Sequence, residues 1–170
     1  MVLAMFLLGD MFSLEEKKCN FYFYDPLTTG DSSLSSCVEA IIAAQIGDMD
    51  KAFRYGMAAL LMDLADVGGN VKDGCHIASM GGTWMMLTYG FGGMRDNDGS
   101  LSFWPRRAPE ENAILRFPVT YRGRSLEVEI GLEKVEYALR EGESLVIRHE
   151  TEEVHLTRQN PVAVRPVSRR

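Results

Sequence analysis

The spacing of apolar residues changes near Gly99 from a helical period to strict alternation, so the chain must build two differently constructed parts. Before that point, Phe53, Met57, Leu60, Leu61 and Leu64 fall at i, i+4, i+7, i+8 and i+11, the apolar stripe of one helical face. After it, Leu115, Phe117, Val119 and Tyr121 alternate with Arg116, Pro118, Thr120 and Arg122. Leu126, Val128 and Ile130 continue the alternation, then Val135, Tyr137 and Leu139, with turns at Arg122-Gly123 and Glu141-Gly142. Two more short strands follow, Leu145 to Arg148 and Glu153 to Leu156. This pattern predicts an antiparallel meander with one solvated face. Pro118 has no N–H for a ladder and places its strand at an edge or a bulge. Composition changes at the same place. All 10 methionines and every aspartate precede Gly99, and residues 1–99 hold 13 of the 24 acidic but only 6 of the 18 basic residues.

The first part divides into helices by its punctuation. An apolar run from residue 2 to Gly9 is one. Ser13 and Glu16 form a capping box that opens a second, to about Tyr24. Asp25 to Gly30 is a loop. Ser33 or Ser35 is expected to cap a third helix through Ala40 to Ile46, which Gly47 ends, and Asp48 caps the next. A loop from Asp66 to Gly74 leads to a helix from about Ile77 to Gly90. Gly81 and Gly82 lie inside it, at about 1 kcal/mol each against alanine, which implies a close backbone approach. The expected organisation is helices over 1–99, an antiparallel β-domain over 100–158, and a flexible tail over 159–170.

Several functional classes are disfavoured. The net charge of −6 does not suit a general nucleic-acid binder. Met1 to Leu8 is apolar, but it lacks the basic region and cleavage site of a signal peptide and is too short to span a membrane. With no cap before it, it resembles the interior of a helix, as in a truncated chain. Cys19, Cys37 and Cys75 are odd in number and widely spaced, which fits reduced thiols in a cytoplasmic protein. Cys75 and His76 are sequence neighbours, and neighbours rarely form a nucleophile pair.

Two polar clusters remain for chemistry. Asp73-Gly74-Cys75-His76 precedes a helix whose first turn reaches Ser79. Free N–H groups there favour an anion, and His76 and Ser79 can add donors. The second cluster is Thr28 to Ser36, whose hydroxyls can bind phosphate or simply cap a helix. Asp96-Asn97-Asp98-Gly99 lacks EF-hand spacing and is a turn. His149 and His155 have no ligand at zinc spacing, so no metal is expected. Trp84 and Trp104 flank the change of period and either seal a core or stack on sugar rings.

The run DGCHIASMGGTWMMLTYGFGGMRDNDGSLSFWPR, from Asp73, resembles a C-terminal signature of glycoside hydrolase family 65, the family of maltose, trehalose and kojibiose phosphorylases and some hydrolases. NFYFYDPLTTGDSSLSSCVEAIIAAQIGDMDKAF, DLADVGGNVKDG and RFPVTYRGRSLEVEI resemble it too, so the likeness covers nearly the whole chain. The resemblance implies an α+β fold by segments: the last helices of an (α/α)6 barrel, then a small antiparallel β-sheet domain. It implies an inverting phosphorolysis of an α-glucosidic disaccharide to β-glucose 1-phosphate, with inorganic phosphate as co-substrate and no other cofactor. Phosphate takes the place of the activated water of an inverting hydrolase, and His76 in place of a carboxylate favours phosphate. The general-acid glutamate and a lysine of the family belong to segments before Met1, so no catalytic residue is assigned here. His76, Ser79, Gly81 and Gly82 match the family's HIASMGG-type segment, and Ser32 and Ser33 match its hydroxyl-rich loop. These six are the phosphate-binding residues that the resemblance implies. Gly30 stands where relatives usually have histidine. Neither nucleic acid nor membrane is an expected partner, and self-association through exposed barrel helices is. A stand-alone binding or assembly module is the alternative.

Overall fold

The computed structural model describes residues 1–30, 32–96, 99–106 and 113–167. They divide into two compact units, Met1–Gly90 and Phe91–Arg170.

The first unit is helical: α1 (Val2–Leu7), α2 (Leu14–Tyr24), α3 (Ser35–Ile46), α4 (Met49–Leu60) and α5 (Ile77–Met85), which continues as a π-helical segment over Met86–Phe91. The expected capping box is present. Ser13 Oγ accepts from the Glu16 N–H, and the Ser13 N–H donates to Glu16 Oε2 at 2.8 Å. These bonds hold the Glu16 carboxyl below its ordinary range. Ser13→Ala is expected to lower stability by about 1 kcal/mol, measured as a shift in the urea midpoint. At the other end of this region Gly47 ends α3 in the left-handed conformation, and Asp48 caps α4 by accepting from the Lys51 N–H at 3.1 Å.

α3 is the centre of the unit. Cys37, Ala40, Ile41, Ile42, Ala43 and Ala44 are all buried, and α1, α2, α4 and α5 pack around it. A helix apolar on every side needs such a shell. Two expectations are corrected here. α3 is capped by neither Ser33 nor Ser35: Leu34 holds the cap position and makes no side-chain bond, while Ser32 Oγ accepts from the Leu34 N–H at 3.3 Å. The hydroxyl one turn earlier forms the local bond first. The apolar stripe on α4 is also not its core face. Ala52, Gly56 and Ala59 are buried, while Phe53 and Leu60 are exposed. Small residues let backbones approach, and an alanine side chain on Gly56 would already sit 3.1 Å from Met86 Cε. α4 ends at Leu60, so Leu61 and Leu64 lie beyond it.

An ion-pair network ties α2 to α4. Asp25 accepts from both the Lys51 ammonium and the Tyr55 hydroxyl. Burial, then Asp25, pushes the Tyr55 phenol up to about 12. Among the described residues no helix is long and apolar enough to cross a membrane.

The second unit is built of strands: β1 (Ser102–Phe103), β2 (Leu115–Tyr121), β3 (Arg124–Ile130), β4 (Lys134–Glu141), β5 (Ser144–His149), β6 (Glu152–Thr157) and β7 (Val162–Pro166). They form two sheets, an antiparallel one of order β2-β3-β4-β7 and one of order β1-β5-β6 in which β1 runs parallel to β5. One core joins both sheets, with Phe103, Phe117, Leu126, Tyr137, Ile147 and Leu156 among its members. The alternation of β2 through β6 is as expected, Arg122 and Gly123 both turn with positive φ, and Pro118 lies on the edge strand β2. On the wet face Arg116 pairs with Glu129 and Arg140 with Glu127.

Three differences stand out. The single meander is two sheets, because Leu101 and Phe103 bring β1 beside β5. The tail is not loose: β7 pairs with β4 from Lys134↔Pro166 to Ala138↔Val162. Its prolines mask a strand because Pro166 stands at its end and Pro161 just before it. The second unit also begins earlier than Gly99. Arg95 and Ser102 exchange two backbone bonds of 2.8 Å, and the Arg106 N–H donates to Phe91 O, so the segment from Phe91 folds back on β1. Asn97 and Asp98 of the expected turn lie outside the described residues, as do residues 168–170 of the tail.

Candidate functional site

The loop before α5 holds the first element of the site. Asp63, just past α4, accepts twice from His76: from its backbone N–H at 2.9 Å and from Nδ1–H at 2.6 Å. The hydrogen bond from the His76 ring holds the Asp63 carboxyl below its usual range. With Nδ1 donating to a carboxylate, the tautomer and ring plane are fixed, and Nε2 is left for another partner. This places His76 at the start of α5, one residue before Ile77. Ser79 is buried, and its hydroxyl donates to Ala59 O at 3.4 Å, which fastens α5 to α4.

The second element is a cleft of about 580 Å³ within the helical unit. Thr28, Ser32 and Ser35 line it from the loop and the start of α3, and Ala78, Gly81 and Gly82 line it from α5. Their sizes have separate causes. Gly82 is buried against α3, where a Cβ would meet Cys37 Sγ at 2.5 Å. Gly81 faces open space, with nothing within 4 Å of where a Cβ would stand. The close approach expected of both glycines thus belongs to Gly82, and Gly81 keeps the cleft wall low.

Of the six residues singled out for phosphate, the cleft brings together Ser32, Gly81 and Gly82. His76 is anchored by Asp63, Ser79 is engaged with Ala59, and Ser33 is half-buried and not on the cleft wall. Gly30 has positive φ and open space around it. Cys75 is exposed, and among the described residues no group of acidic, histidine and cysteine side chains could hold a metal ion. His149 is a core residue of the second unit, bonded through Nδ1 to the Tyr137 hydroxyl at 2.9 Å and pushed down by burial. Trp84 on α5 is exposed, not a core seal, and Trp104 is half-buried.

Sequence reasoning missed two residues. Asp63 gave no signal, since it lies 13 residues before its histidine. Glu39 gave one: it is the only acid inside the otherwise apolar run from Cys37 to Ala44. It is buried on α3 and lines the same cleft.

Comparison with known proteins assigns both units to one family. Residues 1–85 match the glycosyl hydrolase family 65 central catalytic domain, and residues 94–156 match the family's C-terminal domain. An alpha,alpha-trehalose phosphorylase of Thermoanaerobacter brockii is 47% identical over 146 residues, 86% of this chain and 19% of that protein. The alpha,alpha-trehalose phosphorylase of Geobacillus stearothermophilus is 40% identical over 96% of this chain and 21% of its own length. A solved structure from the human microbiome, whose name proposes a kojibiose phosphorylase, superposes with a TM-score of 0.89 at 27% identity, covering 97% of this chain and 22% of that one. The chain thus spans about a fifth of the length of these relatives. A matched catalytic-domain segment followed by a matched C-terminal domain, in the order of the two folded units, means that the chain belongs to glycosyl hydrolase family 65.

Proposed function

We propose that this chain supplies the phosphate-side wall of a disaccharide phosphorylase site, with inorganic phosphate as co-substrate and an α-linked glucose disaccharide as the sugar. The Asp63–His76 pair carries the reading. Asp63 fixes Nδ1 as a donor, which sets the plane of the ring and leaves Nε2 to meet a phosphate group. Gly81 and Gly82 leave room on the wall, and Ser79 holds that wall to α4. In the complete reaction, phosphate would displace the glucosyl group with inversion, and the acid protonating the leaving oxygen would come from another part of the domain. Histidine where a hydrolase needs a base for water favours phosphorolysis over hydrolysis. The three free cysteines fit a cytoplasmic setting.

Calorimetric titration of the chain with inorganic phosphate tests this. Saturable binding is expected, weakened about tenfold in Asp63→Asn, which loses one charge-assisted bond. Binding that is absent, or equal in the two proteins, contradicts the reading.

A second property is supported by the exposed apolar residues Leu3 and Leu7 on α1 and Phe53 and Leu60 on α4. Surfaces of this kind associate. Sedimentation velocity is expected to show concentration-dependent self-association of the chain, and a single monomeric species at all concentrations would count against it.

A further inference from the structure

Glu39 is a buried acid of the helical unit. It is 5% exposed and sits on α3 among buried neighbours, Cys37, Ala40, Ile41 and Ile42. Among the described residues it has no hydrogen-bond partner. Two charged groups act on it from neighbouring elements at longer range, Asp25 against its ionisation and Lys51 in favour of it. Both are already engaged with each other, since Lys51 donates to Asp25. A buried carboxyl without donors loses several bonds to water and regains none. Its oxygens are nevertheless not among the buried atoms sealed without a partner. The opening beside it is the cleft, whose wall Glu39 helps to form.

The rest of that wall decides which ligand would satisfy it. Ser35 lies one helical turn before Glu39, so the two share a face of α3. Thr28 and Ser32 add hydroxyls from the preceding loop, and Phe6 of α1 and Met85 of α5 add apolar surface. A ligand that fits has several neutral O–H donors at its edge and C–H groups on its faces, which describes a pyranose. A phosphate beside Glu39 would be repelled by its carboxylate. A volume of about 580 Å³ falls within the range that small-molecule sites occupy.

We propose that Glu39 is the sugar-recognising residue of this cleft, its carboxyl group accepting hydrogen bonds from the hydroxyls of a glucose unit that lies against Phe6 and Met85. The inference rests on the reading of the chain as part of a sugar and phosphate site, and it divides that site: the sugar at the cleft that Glu39 and Ser32 line, the anion at His76. Burial, the larger cause, and Asp25 raise the carboxyl above its ordinary range, so Glu39 is a reluctant anion that gains from donors arriving with a neutral ligand.

Glucose binding to the chain, followed by NMR titration with D-glucose and with each monodeoxy-glucose, tests this. Wild type is expected to bind glucose saturably, and Glu39→Ala to bind it at least about tenfold more weakly, the worth of a hydrogen bond to a charged group. Glu39→Gln keeps the shape and the fold, and a loss of about fivefold is expected for exchanging a charged acceptor for a neutral one. Removal of one particular glucose hydroxyl should cost wild type about tenfold and Glu39→Ala nothing further, the signature of a direct contact. A residue that only supports the fold would move the melting temperature and leave that selectivity intact. No glucose binding by wild type, or the same deoxy-glucose selectivity in all three proteins, overturns the inference. Phosphate titration of the same samples keeps the two ideas apart. If phosphate fails to bind while glucose binding depends on Glu39, the anion site is lost and the sugar contact stands.

Discussion

Gly93→Ala is expected to destabilise the Phe91–Arg170 unit by about 3 kcal/mol or more, among the largest effects a single methyl can have. Gly93 has a φ of +60, and a Cβ there would lie 2.0 Å from the Trp104 carbonyl oxygen and 2.4 Å from its carbonyl carbon. These are backbone atoms, so no rotamer change makes room. Nor can the strand retreat, because the Trp104 N–H donates to Gly93 O at 3.0 Å and the Arg95–Ser102 pair follows immediately. Relief means breaking the return of Phe91 to Arg106 upon itself. Gly123→Ala is the matching control. Its φ of +74 is equally left-handed, yet nothing stands within 4 Å of its Cβ position. That change is expected to cost only about 1 kcal/mol of backbone strain. Urea unfolding followed by the circular dichroism of the sheets gives both values, and equal midpoints for the two variants would remove the clash argument.

Gly82→Ala and Gly81→Ala are expected to move stability in opposite directions although the residues are adjacent on one helix. Both gain about 1 kcal/mol of helix propensity. At Gly82 the new methyl meets Cys37 Sγ at 2.5 Å and Cys37 Cβ at 2.9 Å, within the packed contact of α5 with α3. Overpacking of this kind costs about 1–3 kcal/mol and outweighs the gain. At Gly81 the methyl meets nothing, and the gain remains. Adding Cys37→Ala to Gly82→Ala removes the nearer of the two contacts and should restore part of the loss, whereas the same cysteine change with Gly81→Ala should be additive. Thermal melts of these four variants beside wild type and Cys37→Ala alone decide this. A destabilising Gly81→Ala would show that the cleft wall is less open than it stands here.

Both pairs of glycines also show what a sequence reveals and what it withholds. The Gly81-Gly82 doublet inside a helical run pointed to a close approach, but only the structure tells which of the two makes it. Gly93 lies in a run with Gly90 and Gly92, and nothing in the residues says that Trp104 presses on it. Local signals were legible where the chemistry is local: Ser13 with Glu16, Gly47 with Asp48, Arg122-Gly123, and the alternation of β2 to β6. Signals failed where distant partners decide. β7 is exposed along much of its length and is flanked by Pro161 and closed by Pro166, so only its pairing with β4 makes it a strand. On α4 the large apolar residues suggested the core face, but close packing selected Ala52, Gly56 and Ala59. For the site, motif resemblance marked His76 and Ser32, whereas Asp63 and Glu39 became visible only when the fold set one beside the imidazole and the other on the cleft wall.

The imidazole of His76 is where the account is most exposed to test. Heteronuclear NMR of the ring during a titration with inorganic phosphate should show its Nε2 and Cε1–H resonances moving along a saturable curve, with the shift absent from His149, which is buried against Tyr137. In Asp63→Asn the same curve should require about tenfold more phosphate. His76 resonances that stay fixed as phosphate rises, or that move no differently from those of exposed His155, would contradict a phosphate-side wall built on the Asp63–His76 pair.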